Sequence, residues 1–392
     1  MVTISGPRQC GKTTLTETLP ILKTSKAYYN WDIDEHRKII RSSTLDESKE
    51  YWILDEIHKY SRWRNWLKGL YDLHRKDHKI IVTGSARLDL YSRGGDSLQG
   101  RYFNYRLHPF TLSELMELED YDYKTFVNIS PKNKLKLEYD EAIAKQKLED
   151  LLTYGGFPEP YTVKSLDFSS RWRNEYSKRL VNEDVRMLEQ IQQLDQMGLL
   201  YERLPELVAN NLSINNLALD LETAHQTISK WLNIFEKLYG CFRILPFEIT
   251  SKKLVNTKIK LVKKERKTYL WDWGKVPDSG PRLENLVAVH LLRLVHWFED
   301  IYGEIIELRY FRDVDGHEID FLILKNKEPW VAIEVKSTAQ GLNPGMKYFL
   351  ERVKVPFAFQ IHLKGDLDTR VEGINGCRVR IMPISRFLCW LP

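Results

Sequence analysis

The feature that most constrains this chain is a glycine-rich loop near its start. Residues 6–13 read Gly6-Pro7-Arg8-Gln9-Cys10-Gly11-Lys12-Thr13 and are followed by Thr14; they fit G-x-x-x-x-G-K-[ST], and an apolar segment precedes them. Glycines at these positions let backbone N–H groups converge on phosphate oxygens, the lysine reaches the β- and γ-phosphates, and the last hydroxyl binds Mg²⁺. The pattern predicts a P-loop between a strand and a helix that begins near Lys12, with ATP and Mg²⁺ bound by residues 6–14.

A second apolar segment, residues 51–54, ends in two acidic residues, Asp55 and Glu56. After a P-loop, this pattern indicates that Asp55 organises Mg²⁺ together with Thr13, and that Glu56 polarises the attacking water. The alternative is that Asp55 caps a helix.

A third apolar segment, residues 79–82, ends in Thr83, Gly84 and Ser85. In a P-loop sheet such a strand lies beside the P-loop strand, so Ser85 or Thr83 is a candidate sensor of the γ-phosphate; the alternative is a simple strand end. Arg101 is a candidate for stabilising charge on the leaving phosphate, within one chain or across subunits. The alternative is a surface arginine.

The bulk composition is that of a globular protein of several domains. The chain has 392 residues, of which 43% are hydrophobic and 29% charged, and its formal net charge is +5. The length predicts two or three domains, and the small positive charge permits a nucleic-acid partner without requiring one. We find no apolar run long enough to cross a bilayer, no signal peptide and no CxxC pair. These features predict a cytoplasmic protein with no membrane partner.

The order of apolar segments predicts an α/β fold in four parts. Residues 1–115 alternate strands and helices, which is typical of a parallel sheet covered by helices. Residues 116–205 read as a helical lid, broken by turn residues at 154–160. Residues 206–270 read as two helices and a basic β-ribbon. Residues 271–392 read as an apolar helix starting after Pro281, followed by strands near 305–311, 318–324 and 330–335.

The middle segment has the pattern of a helix-turn-helix. A short helix is predicted near 212–218 and a longer one from 224 to 239, with an outer face formed by Gln226, Thr227, Ser229 and Lys230. A second helix with such a polar face suits the major groove of DNA. A lysine-rich ribbon follows, including Lys263, Lys264, Arg266 and Lys267. The ribbon predicts a winged helix that contacts phosphates. The alternative is a module for packing or protein contacts, whose lysines are only solvated.

The C-terminal segment carries a set of acidic residues at strand positions. Asp320 begins one predicted strand, and Glu334 and Lys336 end the next. If these strands pair as a hairpin, Asp320 and Glu334 lie side by side, and Lys336 points to the same face as Glu334. Two carboxylates can hold Mg²⁺ while a lysine orients water, which suits phosphodiester hydrolysis. Glu284, in the apolar helix, is a further candidate ligand. The alternative is a degenerate site whose charges are structural.

Several runs together resemble a large family of prokaryotic AAA-type ATPases, whose members are ATP-binding proteins with a C-terminal domain of unknown function. These runs are GPRQCGKTT, LDEIHKY, IIVTGSARLDL and SLQGRYFNYRLHPFTLSEL. The resemblance covers nearly the whole chain. It implies that the first run is the Walker A loop, the second Walker B and the third the sensor strand. It also implies a winged-helix-like middle segment.

The phrases LENLVAVHLL, HEIDFLI and IEVKS resemble the C-terminal domain of the same family and the PD-(D/E)xK nuclease fold. The resemblance implies that Glu284, Asp320, Glu334 and Lys336 occupy the nuclease positions. Two departures stand out. This chain begins at the P-loop strand, where family members carry a few dozen further residues, so we expect either a longer natural chain or an incomplete adenine pocket. Residues 269–274 replace the usual Asp-Thr-Gly-Leu-like turn.

The sequence therefore predicts a Mg²⁺-dependent ATPase that acts as a nucleotide-driven switch, coupled to DNA or to a protein partner. One alternative is a metal-dependent nuclease. Another is a nucleotide-gated interaction module without turnover. Arg101 also suggests a homo-oligomer.

Overall fold

The computed structural model of the protein describes residues 1–22, 25–84, 98, 100–118, 139–188, 193–210, 212–248 and 265–392. Three residues of the predicted sites, Ser85, Lys263 and Lys264, lie outside this part of the chain. The contacts divide the chain into two units. Unit 1 comprises Met1–Pro109, Lys178–Leu194 and Asn233–Gly240, and unit 2 comprises Phe110–Ser177, Asp195–Leu232 and Cys241–Pro392.

Unit 1 contains a parallel sheet. Within the described residues its strands are β1 (Val2–Ser5), β2 (Lys26–Asn30), β3 (Tyr51–Asp55), β4 (Lys79–Gly84) and β5 (Phe103–Arg106), in the order β2-β3-β4-β1-β5. Each neighbouring pair is parallel. The helices α1 (Lys12–Thr18), α2 (Asp34–Ser42) and α3 (Trp63–His74) connect the strands. The predictions of an α/β fold and of an N-terminal parallel sheet are confirmed.

The central strand β3 shows why this sheet forms. Its five residues are all buried. Trp52 and Leu54 pack in one cluster with Leu67 of α3, while Ile53 packs on the other face with Leu22. A strand that is apolar on both faces requires cover on both sides, and parallel sheets supply it through their crossover helices.

Along the sequence from β5 to residue 240, the described residues are mostly helical. The helices are α4 (Leu112–Leu115), α5 (Glu141–Tyr154), α6 (Pro158–Val163), α7 (Leu166–Arg179), α8 (Val185–Leu188), α9 (Leu194–Arg203), α10 (Ile214–Asp220) and α11 (His225–Lys237). A π-helical turn, Leu180–Asp184, joins α7 to α8. The predicted helix pair of the middle segment is present as α10 and α11.

The predicted break after Tyr154 is present, because α5 ends there and α6 begins at Pro158. Gly156 lies in this turn, and the structure shows why it is a glycine. A Cβ atom at this position would be 2.3 Å from Cη2 of Trp273 and 3.0 Å from the backbone oxygen of Phe110. Only a residue without a side chain allows this close approach.

Unit 2 contains a mixed sheet. Its described strands are β6 (Cys241–Pro246), β7 (Lys267–Leu270), β8 (Ile306–Arg312), β9 (Glu318–Lys325), β10 (Glu328–Thr338), β11 (Phe357–Lys364), β12 (Thr369–Ile374) and β13 (Cys377–Pro383). Their order is β12-β13-β11-β10-β9-β8-β6-β7. Helices α12 (Ser279–Trp297), α13 (Pro344–Arg352) and α14 (Ile384–Leu388) complete the unit.

Two differences from the sequence predictions concern this sheet. Strands β6 and β7 flank the basic ribbon, yet they belong to the C-terminal sheet, so this sheet begins before residue 271. Helix α12 begins at Ser279, two residues before Pro281. Proline in the first turn is compatible with a helix, because the N–H that it lacks would have no partner there. The four-part division of the chain stays a prediction.

In the part of the chain that the structure describes, we find no helix with the length and apolar character needed to span a membrane.

Candidate functional site

The P-loop follows the carboxyl end of β1, and its backbone needs both glycines. Gly11 has φ of 98°, in the left-handed region that glycine adopts most easily. A Cβ atom on Gly6 would lie 2.3 Å from the backbone oxygen of Leu107. Between them Gln9 also has positive φ, at 59°. The loop therefore curves tightly before α1 begins at Lys12, as the sequence predicts.

Lys12 lies within this loop. Its side chain is buried, and its Nζ donates to the backbone oxygens of Gly6 at 3.0 Å and Pro7 at 2.6 Å. An ammonium held inside the loop is placed where a P-loop lysine meets phosphate oxygens. Cys10 is buried beside it, and burial raises the pKa of the Cys10 thiol.

The predicted Mg²⁺ ligands lie side by side. Asp55 ends β3, and the register pairs it with Thr83 of β4, whose strand neighbours β1. The Thr13 Oγ1 donates to Asp55 Oδ2 at 3.1 Å. A hydroxyl and a carboxylate in contact are the oxygen donors that Mg²⁺ accepts, so Thr13 and Asp55 fit the ion that the P-loop implies.

Three further residues hold Asp55 in place. The Tyr28 hydroxyl donates to Asp55 Oδ2 at 2.6 Å, and Asn30 Nδ2 donates to the same oxygen at 3.4 Å. The Thr83 hydroxyl donates to Oδ1. Burial and the neighbouring Asp55 carboxylate raise the pKa of Tyr28. The sequence analysis missed Tyr28 and Asn30 because it did not identify β2. Two adjacent tyrosines followed by the polar Asn30 were the pattern that could have indicated this strand.

Glu56 lies next to Asp55 at the same edge of the sheet. Its backbone is in the left-handed region, with φ of 53°, and its N–H donates to the backbone oxygen of Thr83 at 3.1 Å. Its carboxylate lies 3.5 Å from His58 Nε2 and 3.4 Å from Lys59 Nζ. Burial lowers the pKa of His58, despite the nearby Glu56 carboxylate. Lys59 also pairs with Asp32 at 2.6 Å.

Arg8 connects the P-loop to the π-helical turn. Its Nη1 lies 2.8 Å from the carboxylate of Glu183 and 3.1 Å from that of Asp184. Burial raises the pKa of Asp184 to about 6, although Arg8 acts in the opposite direction. Helical π-turns often occur at functional sites. No local sequence pattern identified Glu183 and Asp184, which are more than 170 positions from Arg8.

Arg101 lies near the amino ends of the strands, opposite to the end that carries the P-loop. It precedes the amino end of β5, whose Phe103 pairs with Val2, whereas the P-loop follows the carboxyl ends. Four residues of strand separate the two edges, about 13 Å at 3.3 Å per residue. Arg101 pairs with Asp72 of α3 through Nε at 2.9 Å and Nη2 at 3.2 Å. The structure therefore does not bring Arg101 to the P-loop of its own chain.

The predicted outer face of α11 is accessible. Gln226 and Lys230 are exposed, and Thr227 and Ser229 are half-buried. Arg266 of the ribbon is exposed as well. The prediction that Lys267 contributes to this basic surface is wrong, because its side chain is 2% exposed and points into the C-terminal sheet unit.

The acidic residues of the C-terminal sheet come together as predicted. The pairing of Ile333 with Phe321 places Glu334 of β10 opposite Asp320 of β9. The Asp320 Oδ2 accepts the N–H of Val335 at 2.8 Å, and Lys336 Nζ donates to Glu334 Oε1 at 2.7 Å. Burial, followed by the Asp320 carboxylate, raises the pKa of Glu334.

Glu284 of α12 reaches the same cluster, but through a lysine. Its Oε1 accepts from Lys267 Nζ at 3.1 Å and from the Tyr269 hydroxyl at 2.7 Å. Lys267 Nζ also contacts Glu318 and lies 3.9 Å from Asp320 Oδ1. Burial, followed by the Asp320 carboxylate, raises the pKa of Glu284. The residues of the expected metal site are present, yet an ammonium lies among them.

Comparison with known families agrees with the N-terminal geometry. Residues 1–116 match the family described as AAA domain. Residues 145–276 match a domain of unknown function (DUF8612), and residues 279–386 match another (DUF4143). The chain thus carries an N-terminal AAA domain followed by two domains of unknown function, which confirms the resemblance to AAA-type proteins with a C-terminal domain of unknown function.

Similar proteins extend over most of the chain. An uncharacterized protein of Haemophilus influenzae is 25% identical over 353 residues, which is 83% of this chain and 80% of that protein. Two uncharacterized proteins of Methanocaldococcus jannaschii are 24% and 28% identical, over 76% and 63% of this chain. The matched regions span 64% and 54% of those two proteins, so this chain covers less than two thirds of their length.

Proposed function

Because residues 1–116 match an AAA domain, we propose that this protein is a Mg²⁺-dependent ATPase whose nucleotide state drives a switch. The observation that carries the proposal is the cluster at the carboxyl ends of β1 and β3. Lys12, Thr13, Asp55 and Glu56 all meet at this edge of the parallel sheet.

Each of these residues has one task in the proposed reaction. Lys12 binds the β- and γ-phosphates, and the P-loop N–H groups bind their oxygens. Thr13 and Asp55, which are hydrogen-bonded to each other, would hold Mg²⁺. The ion, when bound, neutralises charge on the phosphates. Glu56 orients the attacking water and accepts its proton, for which its carboxylate has to turn away from Lys59.

Phosphate release from Mg-ATP tests the proposal. Glu56→Gln is expected to lower turnover by roughly 10²-fold or more while ATP still binds. Lys12→Ala is expected to abolish binding of a fluorescent nucleotide. Glu35→Gln, an exposed carboxylate in α2, is the matched control and should keep wild-type turnover. Equal turnover by wild type and Glu56→Gln would contradict the assignment. ATP binding without any turnover in wild type would favour a nucleotide-gated interaction module instead.

The switch itself is supported by the Arg8 contacts. A triphosphate beside the P-loop brings negative charge that competes with Glu183 and Asp184 for the Arg8 guanidinium. Nucleotide binding would therefore loosen the π-helical turn, and hydrolysis would restore the ion pairs. A switch of this kind needs differential contacts in its two states, and Arg8 supplies them.

Hydrogen exchange of residues 178–188 tests the switch. A non-hydrolysable ATP analogue is expected to speed exchange there in wild type. Arg8→Gln should exchange faster without nucleotide and respond little to the analogue. Arg37→Gln, an arginine that pairs with Asp34 on α2, serves as the control. An unchanged exchange profile in wild type with bound analogue would rule out this route.

We also propose DNA as the coupled partner, because the outer face of α11 is polar and accessible. Duplex DNA should then raise turnover. Lys230→Glu should weaken DNA binding and flatten its dependence on salt, whereas Lys76→Glu, at an exposed position after α3, should not. The same salt dependence in both variants would favour a protein partner.

A further inference from the structure

A buried lysine lies at the centre of the acidic residues in the C-terminal unit. The carboxylate cluster consists of Glu284, Glu318, Asp320 and Glu334. Lys267 Nζ is 3.1 Å from Glu284 Oε1 and 3.9 Å from Asp320 Oδ1, and it contacts Glu318 as well. The ammonium therefore touches or approaches three of the four carboxylates at once.

The side chain of Lys267 is almost completely buried. It is 2% exposed, and its backbone belongs to β7, paired with Ile244 of β6. The ammonium lies 5.6 Å from the ring centroid of Tyr310, which adds a cation–π contact. Moving a buried ammonium away from its carboxylates would leave both unpaired, which proteins avoid.

Oxygen atoms of Glu334 and Asp320 also have partners other than Lys267. Glu334 accepts from Lys336 Nζ with Oε1 and lies 3.4 Å from the N–H of Asp320 with Oε2. Asp320 Oδ2 accepts the N–H of Val335. A Mg²⁺ ion requires near-octahedral oxygen ligands at about 2.0–2.1 Å. To bind it in that geometry, the carboxylates of Glu334 and Asp320 would have to give up these hydrogen bonds.

Lys267 already brings positive charge into the cluster. The carboxylates of Glu284 and Glu318 contact the Lys267 side chain, and such contacts favour its charged form. A divalent ion would add positive charge beside an ammonium that is already in place.

We propose that Lys267 is the resident cation of the carboxylate cluster, and that its pairing with Glu284, Glu318 and Asp320 takes the place of a divalent metal. The residues expected for a nuclease are thus assembled, but they do not fit a metal. The cluster instead ties α12 to β7 and β9 through charges. We therefore infer that this cluster does not cleave phosphodiesters. This inference is independent of the proposed ATPase, which uses unit 1.

Manganese binding to the nucleotide-free full chain tests the proposal. Wild type is expected to show no Mn²⁺ signal that depends on Asp320, measured by electron paramagnetic resonance against Asp320→Asn. Lys267→Met keeps the apolar stem and removes the charge, so it should gain Mn²⁺ binding, with an affinity at least about tenfold above wild type. Adding Asp320→Asn to Lys267→Met should remove the gained site. Mn²⁺ bound by wild type and lost in Asp320→Asn would overturn the proposal.

A second measurement covers the case in which Lys267→Met does not fold. The melting temperature of wild type should be the same in EDTA and in Mn²⁺, and Asp320→Asn should behave alike. Wild type should also show no Mn²⁺-dependent cleavage of single- or double-stranded DNA above that of Asp320→Asn. Stabilisation by Mn²⁺ in wild type alone, or cleavage lost in Asp320→Asn, would establish a metal site and refute the role of Lys267. Neither result depends on ATP turnover.

Discussion

Replacing Asp184 with asparagine tests whether ionisation of this carboxylate, next to Arg8, lowers the free energy of unfolding. Burial raises the pKa of Asp184 from 3.8 to about 6, so the folded protein holds this proton more tightly than the unfolded chain. At low pH the group is protonated in both states and has no effect. As the pH rises from the unfolded pKa to the folded pKa, the unfolded chain has already released this proton while the folded state still holds it. The free energy of unfolding therefore falls across this range and is fully reduced once the folded state has also ionised. At about 1.4 kcal/mol per pKa unit, the full loss is about 3 kcal/mol, and about 2 kcal/mol of it falls between about pH 4.5 and about pH 8.

Urea unfolding at these two pH values measures the effect. The quantity of interest is the difference in the free energy of unfolding between Asp184→Asn and wild type, compared at the two pH values. This difference removes the contribution of every other titrating group. It should rise by about 2 kcal/mol from the lower to the higher pH, because asparagine cannot ionise. Glu183→Gln, whose partner is the same Arg8 but whose side chain is 47% exposed, should change by less than about 0.5 kcal/mol.

A difference that stays constant with pH would refute the reasoning. It would show that the Arg8 ion pair compensates fully for the burial of Asp184. A difference that falls with pH would show that the pair over-compensates, so that the charged carboxylate stabilises the fold.

Three further predictions concern other contacts. Tyr28→Phe removes a donor to Asp55, worth about 1 kcal/mol, so phosphate release should need severalfold more Mg²⁺ for half-maximal rate; an unchanged Mg²⁺ dependence would contradict that role. Gly156→Ala should lower the free energy of unfolding in urea by about 1–3 kcal/mol, because its Cβ would collide with Trp273; wild-type stability would mean that the turn relaxes. Arg101→Ala should keep ATP affinity within about twofold in a nucleotide titration, since it lies at the opposite edge of the sheet, and a large loss would show that it reaches the nucleotide.

The sequence predicted those parts of the nucleotide site that depend on local patterns. The strand before the P-loop and the glycines of the loop form one continuous run, and Asp55 and Glu56 are adjacent at the end of another strand. Parallel pairing then brings the strand ends together, so the geometry follows once the sheet order is known.

The parts that were missed depend on contacts between distant segments. Tyr28 reaches Asp55 from a strand that the sequence analysis did not identify. Glu183 and Asp184 meet Arg8 from a helical region with no distinguishing pattern. Lys267 is the clearest case, because its lysine-rich neighbours suggested a surface ribbon. Its burial is set by the pairing of β7 with β6 and by carboxylates from α12 and β9, none of which the ribbon itself reveals.

The order of the segments in unit 1 determines when that unit can form during synthesis. Its first stretch ends at Pro109, but its other stretches, Lys178–Leu194 and Asn233–Gly240, come much later in the chain. Domains made of one continuous stretch can fold as soon as they emerge from the ribosome, N-terminal first. Here the ribosome has to translate through Gly240 before all residues of the unit are present. Arg8 can form its ion pairs only after Glu183 and Asp184 have been synthesised. A fragment cut at residue 116 would contain the P-loop and the Asp55–Glu56 pair without those partners, so tests of the proposed ATPase should use the longer chain.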